Sequence, residues 1–240
     1  PNKTPANFIT LSGSQITIAS YDWMINSGSL EAYKRERAKA EAQGHIELSR
    51  QQSYAAHKQN IFGSCALVNN SVVANYHTLR HYTQQLDAKN PAMDLAAIAF
   101  DKCKMPEGDQ IRQTTLASVS DEELESQEVE VCGLGRGFYN VKGRPIRVTP
   151  SMFTYGVPEI FKDVFLLKVP PGAFKGSDIP GMSGSSFFLP QTREAVGVMF
   201  GSTAPGAISI PGSETNSVQF LAFAGPKALR QIVSQSELGA

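Results

Sequence analysis

The sequence predicts an all-β chain in two halves, with a helical segment before the first half and a helix after the second. Three observations predict it. From Phe62 onward, short apolar or alternating runs recur, each broken by Gly, Pro or Asn. A charged stretch, 120–125, divides those runs and reads as a linker or solvated turn between two β halves. Strong helix formers are concentrated outside the runs, over 30–42 and after Pro226. Many short strands with turn punctuation point to a sandwich or to barrels, not to a parallel α/β sheet.

In chain order, Ile9-Thr10-Leu11 and Ile16-Thr17-Ile18-Ala19 give a hairpin, or one strand with a turn at Gly13. Ser29 is a plausible N-cap for a helix over 30–42. The apolar stripe of that helix is mostly alanine, as in an exposed or loosely docked helix; a partner-binding arm is the sharper alternative. Strands are then expected over 65–68, 72–75, 95–100, 129–132, 145–155, 164–169, 186–189, 195–200 and 218–224. Asn69-Asn70 sits between the first two of these as a hairpin turn. Pro226 falls at the first helical position, and Leu229, Ile232 and Val233 form a small apolar face behind it.

Composition narrows the function. The chain has 240 residues, long enough to bury roughly 70–75% of its unfolded surface without a metal or disulfide staple. Lys plus Arg and Asp plus Glu both number 22, a balance that does not support a dedicated nucleic-acid or anionic-membrane binder, although it leaves room for a local basic patch. No run approaches 18 consecutive apolar residues, and the first thirty residues lack a signal-peptide pattern. Three cysteines (Cys65, Cys103 and Cys132) without CxxC spacing, and four histidines without HExxH, predict neither a disulfide framework nor a metal centre. No cofactor is expected. The chain starts at Pro1 and not at Met, as expected of a piece of something longer or of a product cut from a precursor.

The sharpest local signal is Pro180-Gly181-Met182-Ser183-Gly184-Ser185-Ser186-Phe187-Phe188. A nucleophilic serine needs a tight turn that exposes Oγ and free backbone N–H groups aimed at a developing oxyanion. By itself this is also an ordinary Gly/Ser turn before a strand. Chain order sharpens it. No histidine follows Ser183, which excludes the order Ser, acid, His, and Ser185 stands where a GxSxG elbow needs glycine. The order Asp, His, Ser would need Asp22, which has no supporting motif, so the remaining order is His, Asp, Ser. His77 falls just past the second strand of the Asn69-Asn70 hairpin, and Asp94 opens the run Leu95-Ala96-Ala97-Ile98-Ala99-Phe100. Alone, His77 is as readily a surface histidine and Asp94 a strand-end acid. His81 is a second candidate base, without a preceding strand to hold it.

Together, the segments around His77, Asp94 and Ser183 resemble the trypsin-like (chymotrypsin-fold) serine proteases. Glu128-Val-Glu-Val-Cys-Gly-Leu-Gly-Arg-Gly137 is similar to the strand that opens that family's second barrel, and Ala195-Val-Gly-Val-Met-Phe-Gly-Ser202 to the strand lining its specificity pocket. The resemblance covers 61–235. It implies two antiparallel six-stranded β-barrels, with residues 1–60 as an N-terminal strand and helical extension. Residues 61–125 would form the first barrel, carrying His77 and Asp94. Residues 126–240 would form the second, carrying Ser183, and end in the C-terminal helix. It implies a catalytic triad of His77, Asp94 and Ser183, an oxyanion hole from the N–H groups of Gly181 and Ser183, and a specificity pocket with Ser177 at its base and Asp178, Phe200, Gly201 and Ser202 in its wall. Asp178 would favour a basic residue before the scissile bond if it faces the pocket; facing solvent, it would have no such role.

The chain also departs from the family. Thr78 follows His77 where vertebrate digestive members carry a bridged Cys, Met182 replaces the Asp that precedes their nucleophile, and only 17 positions separate His77 from Asp94. These traits fit the disulfide-free viral and bacterial branches. The expected function is a serine endopeptidase acting on polypeptides, its own precursor among the candidates, with viral polyprotein processing as one role and a bacterial trypsin-like role as another. The lack of a signal pattern and of paired cysteines favours an intracellular setting, the host cytoplasm if the protein is viral. A non-catalytic two-barrel protein that binds RNA or a protein partner is the alternative from a different class.

Overall fold

The structure is a computed structural model that describes residues 15–19, 46–47, 61–79, 86–104, 113–134, 138–149, 152, 164–173, 182–208, 210 and 218–239. The helix expected over 30–42 and the far part of the run expected over 145–155 lie outside the described residues.

The first half contributes β1 (Gln15–Ala19), β2 (Ile46–Glu47), β3 (Ile61–Val68), β4 (Ser71–Asn75), the short helix α1 (Tyr76–Leu79), β5 (Ala88–Asn90), β6 (Leu95–Ala99) and β7 (Cys103–Lys104). Five of these strands form an antiparallel sheet in the order β1-β3-β4-β6-β5, and β2 pairs in parallel with β7. The β3–β4 hairpin turns at Asn69-Asn70, with Val68 opposite Ser71 and Asn69 left-handed at φ +50°, a conformation asparagine tolerates. Every residue of β4 and β6 is buried, because both faces of the sheet are covered. One face packs Cys65, Leu67, Val72, Ala74, Ala96 and Ile98 with Leu79 of α1. The alternate residues, Ala66, Val68, Val73, Leu95 and Ala97, face the other way.

The second half begins with α2 (Asp121–Leu124) and continues with β8 (Val129–Leu134), β9 (Phe138–Gly143), β10 (Ile146–Arg147), β11 (Val164–Lys168), β12 (Ser186–Phe188), β13 (Ala195–Ser202) and β14 (Phe220–Ala224), and closes with the helix α3 (Pro226–Leu238). The seven strands form one antiparallel sheet in the order β10-β11-β14-β13-β12-β8-β9. Its core is aromatic. Phe223 stacks on Phe187 with ring centroids 3.9 Å apart and on Phe165 at 5.6 Å. Gly197 makes room for that stack: a Cβ there would come within 2.5 Å of the Phe223 ring and of the Ala224 carbonyl oxygen. The architecture is thus the all-β one expected, two antiparallel units and a C-terminal helix, with five and seven strands among the described residues.

The stretch 120–125 is more than a linker. Ser120 and Glu123 form a reciprocal capping box, each side chain accepting the other's backbone N–H, so the acidic run starts a helical turn. Leu124 enters the core of the second sheet. Asp121 is buried, and its Oδ1 accepts the N–H of Lys227 at 2.8 Å. The N-cap of α3 is Gly225, which has no side chain to offer, so Asp121 caps that helix from 106 positions away. Removing this cap by Asp121→Ala is expected to lower unfolding stability by about 1–2 kcal/mol in urea denaturation. An unchanged midpoint would show that solvent caps the helix equally well.

Helix α3 joins the two units. Leu229, Ile232 and Val233 pack against Val68, Val73 and Ala97 of the first sheet and against Ala195, Val198 and Ala224 of the second. Ser71 Oγ donates to Ser236 Oγ at 3.0 Å beneath the helix. The strand-like segment before α2 is bonded to both sheets: Thr114 exchanges backbone hydrogen bonds with Leu67 and Asn69, and Ala195 with Thr115 and Ala117. Arg230 of α3 donates Nη1 to the carbonyls of Ala117 and Val119 at 3.2 and 2.8 Å, fixing that segment from above.

Candidate active site

Asp94 is placed by a sequence of local devices. Asn90 accepts the N–H of Met93 through its side chain and starts a 3-10 turn, Pro91–Met93, with proline at the position where a missing N–H costs nothing. Asp94 ends that turn in the left-handed region, at φ +51° and ψ +40°, its N–H donating to the Pro91 carbonyl at 3.2 Å. Aspartate adopts this conformation more readily than most residues. The chain then enters β6, so the carboxylate stands at the end of a buried strand.

His77 is delivered from the neighbouring strand. β4 pairs with β6 so that Asn75 lies opposite Leu95, and α1 begins at the next residue. The backbone N–H of His77 donates to Asp94 Oδ1 at 2.8 Å, and His77 Nδ1 lies 2.6 Å from Asp94 Oδ2. The two oxygens of one carboxylate therefore hold the backbone and the ring of the same histidine. An ionised carboxylate can only accept, so Nδ1 carries the proton and, in the neutral ring, Nε2 presents a lone pair. The His77 side chain is 44% exposed and that of Asp94 11%, so the acid is shielded while the base is open to a partner. Around them, the Asp94 carbonyl oxygen accepts from Tyr76 N and from Asn75 Nδ2, both at 3.0 Å.

Ser183 lies in the turn that leads into β12. Met182 is buried in the core of the second unit, Ser183 is half-buried, and Gly184 has φ +91°, where a side chain would be strained. Ser185 N–H closes the turn on the Met182 carbonyl at 3.0 Å. The turn is pinned to β13 by Gly184 N–H to Met199 O at 2.7 Å and Met199 N–H to Ser185 O at 2.9 Å. These bonds fix the backbone on both sides of Ser183. Among the described residues, no hydrogen bond joins Ser183 to His77 or Asp94.

The strand expected to line a specificity pocket is β13. Register shifts between Met199 and Gly201, making Phe200 the extra residue of a bulge against β14. Phe200 is buried with Val164, Leu166, Ile208, Phe220 and Ala222, and Met93, next to Asp94, packs against this cluster. Gly201 and Ser202 are half-buried, and an added Cβ at Gly201 would meet open space. Gly181, Ser177, Asp178 and His81 lie outside the described residues. Among the described residues, no helix is long and apolar enough to cross a membrane. The sequence reading did not single out Asn75; the signal for it was a polar residue closing an otherwise apolar strand two positions before His77.

Neither a protein-family model nor a curated protein sequence matches this chain. Solved structures are similar to it. A scabies mite inactivated protease paralogue aligns with a TM-score of 0.46 and 13% identity, over 72% of this chain and 88% of its own. A serine protease of a human pathogenic astrovirus aligns with a TM-score of 0.39 and 12% identity, over 70% and 86%. An HtrA-type protease with a bound tripeptide aligns with a TM-score of 0.43 and 15% identity, over 72% of this chain and 55% of its own. Two antiparallel β units closed by a C-terminal helix are the architecture of this chain, consistent with the trypsin-like, two-barrel fold that its motifs resemble.

Proposed function

We propose that this protein is a serine endopeptidase that cleaves polypeptides through His77, Asp94 and Ser183. The observation that carries the reading is the double grip of Asp94 on His77, at 2.8 Å to its N–H and 2.6 Å to its ring. This grip fixes the tautomer in which Nε2 can take a proton. Ser183 Oγ attacks the substrate carbonyl and gives its proton to Nε2. The tetrahedral oxyanion is received by the N–H groups of Gly181 and Ser183. Collapse breaks the C–N bond, and the imidazolium donates the proton to the leaving amine. Water, deprotonated by the same nitrogen, then hydrolyses the acyl-enzyme and regenerates Ser183. No hydrogen bond joins Ser183 to His77 among the described residues, so the reading requires a seated substrate to bring Ser183 Oγ within reach of Nε2.

In this reading the first unit, 61–125, supplies base and acid, and the second, 126–240, supplies the nucleophile and the pocket strand. Processing of a viral polyprotein, its own precursor included, is the role we assign. The departures from digestive members at Thr78 and Met182 fit the disulfide-free viral and bacterial branches alike, so a bacterial trypsin-like role is the alternative. The test is labelling by a fluorophosphonate probe. Wild type is expected to label, and Ser183→Ala and His77→Ala are not. Equal labelling of Ser183→Ala, or no labelling of a folded wild type, would sink the proposal; in the second case binding of RNA or of a protein partner would be tested next.

A further inference from the structure

We infer that Asn75 is a positioning residue for the Asp94–His77 pair, an inference that rests on the proposed endopeptidase reading. Asn75 closes β4 and is fully buried. Its register partner is Leu95, the first residue of β6, so its side chain reaches back to the residue just before the strand, and Nδ2 donates to the Asp94 carbonyl at 3.0 Å. At the other end of the same amide, Asn75 Oδ1 is buried and has no hydrogen-bond partner among the described residues. A half-satisfied buried amide is a poor choice for stability, and an apolar side chain of similar shape would serve the strand better. The preceding residues of β4, Val72, Val73 and Ala74, follow that rule. Among the described residues, the hydrogen bond that the Asn75 side chain does make goes to the residue that carries the carboxylate.

That residue needs holding. Asp94 stands in the left-handed region, between a 3-10 turn and a strand, and its carboxylate must meet both the N–H and the ring of His77. Its carbonyl is fixed by two donors, one from the backbone of Tyr76 and one from Asn75. With only the backbone donor, the peptide plane at Asp94 can rock about a single bond. The carboxylate then loses its aim at Nδ1. Asn75 touches neither substrate nor the reacting atoms; it acts through Asp94.

The experiment compares wild type with Asn75→Ala, which removes the amide, and Asn75→Asp, which keeps its size but turns the donor into a second acceptor facing the Asp94 carbonyl. Peptide hydrolysis is expected to lose about 10–100-fold in kcat with KM nearly unchanged, the mark of a lost transition-state geometry. The low-field proton resonance of His77 Nδ1 is expected to move upfield or vanish in both variants, while the thermal midpoint of Asn75→Ala stays close to wild type. An unmoved resonance overturns the inference. So does an Asn75→Ala chain that fails to fold, because the side chain would then hold the fold and not the acid. If the resonance moves as expected but no form hydrolyses peptides or labels at Ser183, the positioning stands and the endopeptidase reading falls.

Discussion

Asp94→Asn is expected to lower turnover of a peptide substrate by about 10⁴-fold while the fold stays intact. The backbone permits the change, since asparagine is at home in the left-handed region that residue 94 occupies at φ +51°. The chemistry does not permit it. The amide has one acceptor and one donor end where the carboxylate has two acceptors. If the amide oxygen accepts the His77 N–H, the amide nitrogen faces Nδ1 and forces the proton onto Nε2, which leaves no base for Ser183. If the amide flips, two N–H donors collide at the backbone of His77. Steady-state kinetics beside a far-ultraviolet circular dichroism spectrum would check this. A fall of less than about tenfold would mean that the 2.6 Å contact is structural and that the base is oriented by something else.

Phe223→Ala is expected to cost about 3–5 kcal/mol, much of the 5–15 kcal/mol that such a chain typically has. Phe223 is completely buried, sits on the interior strand β14 between β11 and β13, and is the ring shared by both aromatic stacks. Relaxation cannot fill the cavity easily, because Gly197, which lies against the Phe223 ring from the neighbouring strand, has no side chain to move into it. Equilibrium unfolding in urea would measure the loss. A change below about 1 kcal/mol would show that Phe165 and Phe187 close over the gap.

The parts of this molecule legible in its sequence are those whose signal is local. The Asn69-Asn70 turn between two apolar runs gave the β3–β4 hairpin, and Pro226 with Leu229, Ile232 and Val233 gave α3. His77 and Asp94 were legible as a pair because each stands at a strand end, and antiparallel neighbours bring such ends together. The strands β5 and β9 were not read. Ala88–Asn90 is three residues long, and Phe138–Gly143 mixes Asn, Lys and Gly with its apolar residues, so neither shows a period to count. The charged run 120–125 was read as solvated because four of its six residues are acidic. The capping box inside it was a local pattern that could have been found. The burial of Asp121 was not, since its partner is the backbone of Lys227 and no pattern in a window of twenty residues contains both. The same limit hides Asn75, whose meaning comes from the register between two strands and not from its neighbours in sequence.

The helix that spans both units also sets a clock. The face of the first sheet that it covers, with Val68, Val73 and Ala97, leaves the ribosome long before Leu229, Ile232 and Val233 are made. At ordinary rates of synthesis the interval is roughly ten to thirty seconds. During it, the nascent first unit has one finished side and one wet side, and the carbonyls of Ala117 and Val119 wait for Arg230. The turn that carries Ser183 is itself translated within that interval. A chain able to cut peptides would thus come off the ribosome with base, acid and nucleophile already made but the unit beneath them unfinished, and its competence would date from the last helix.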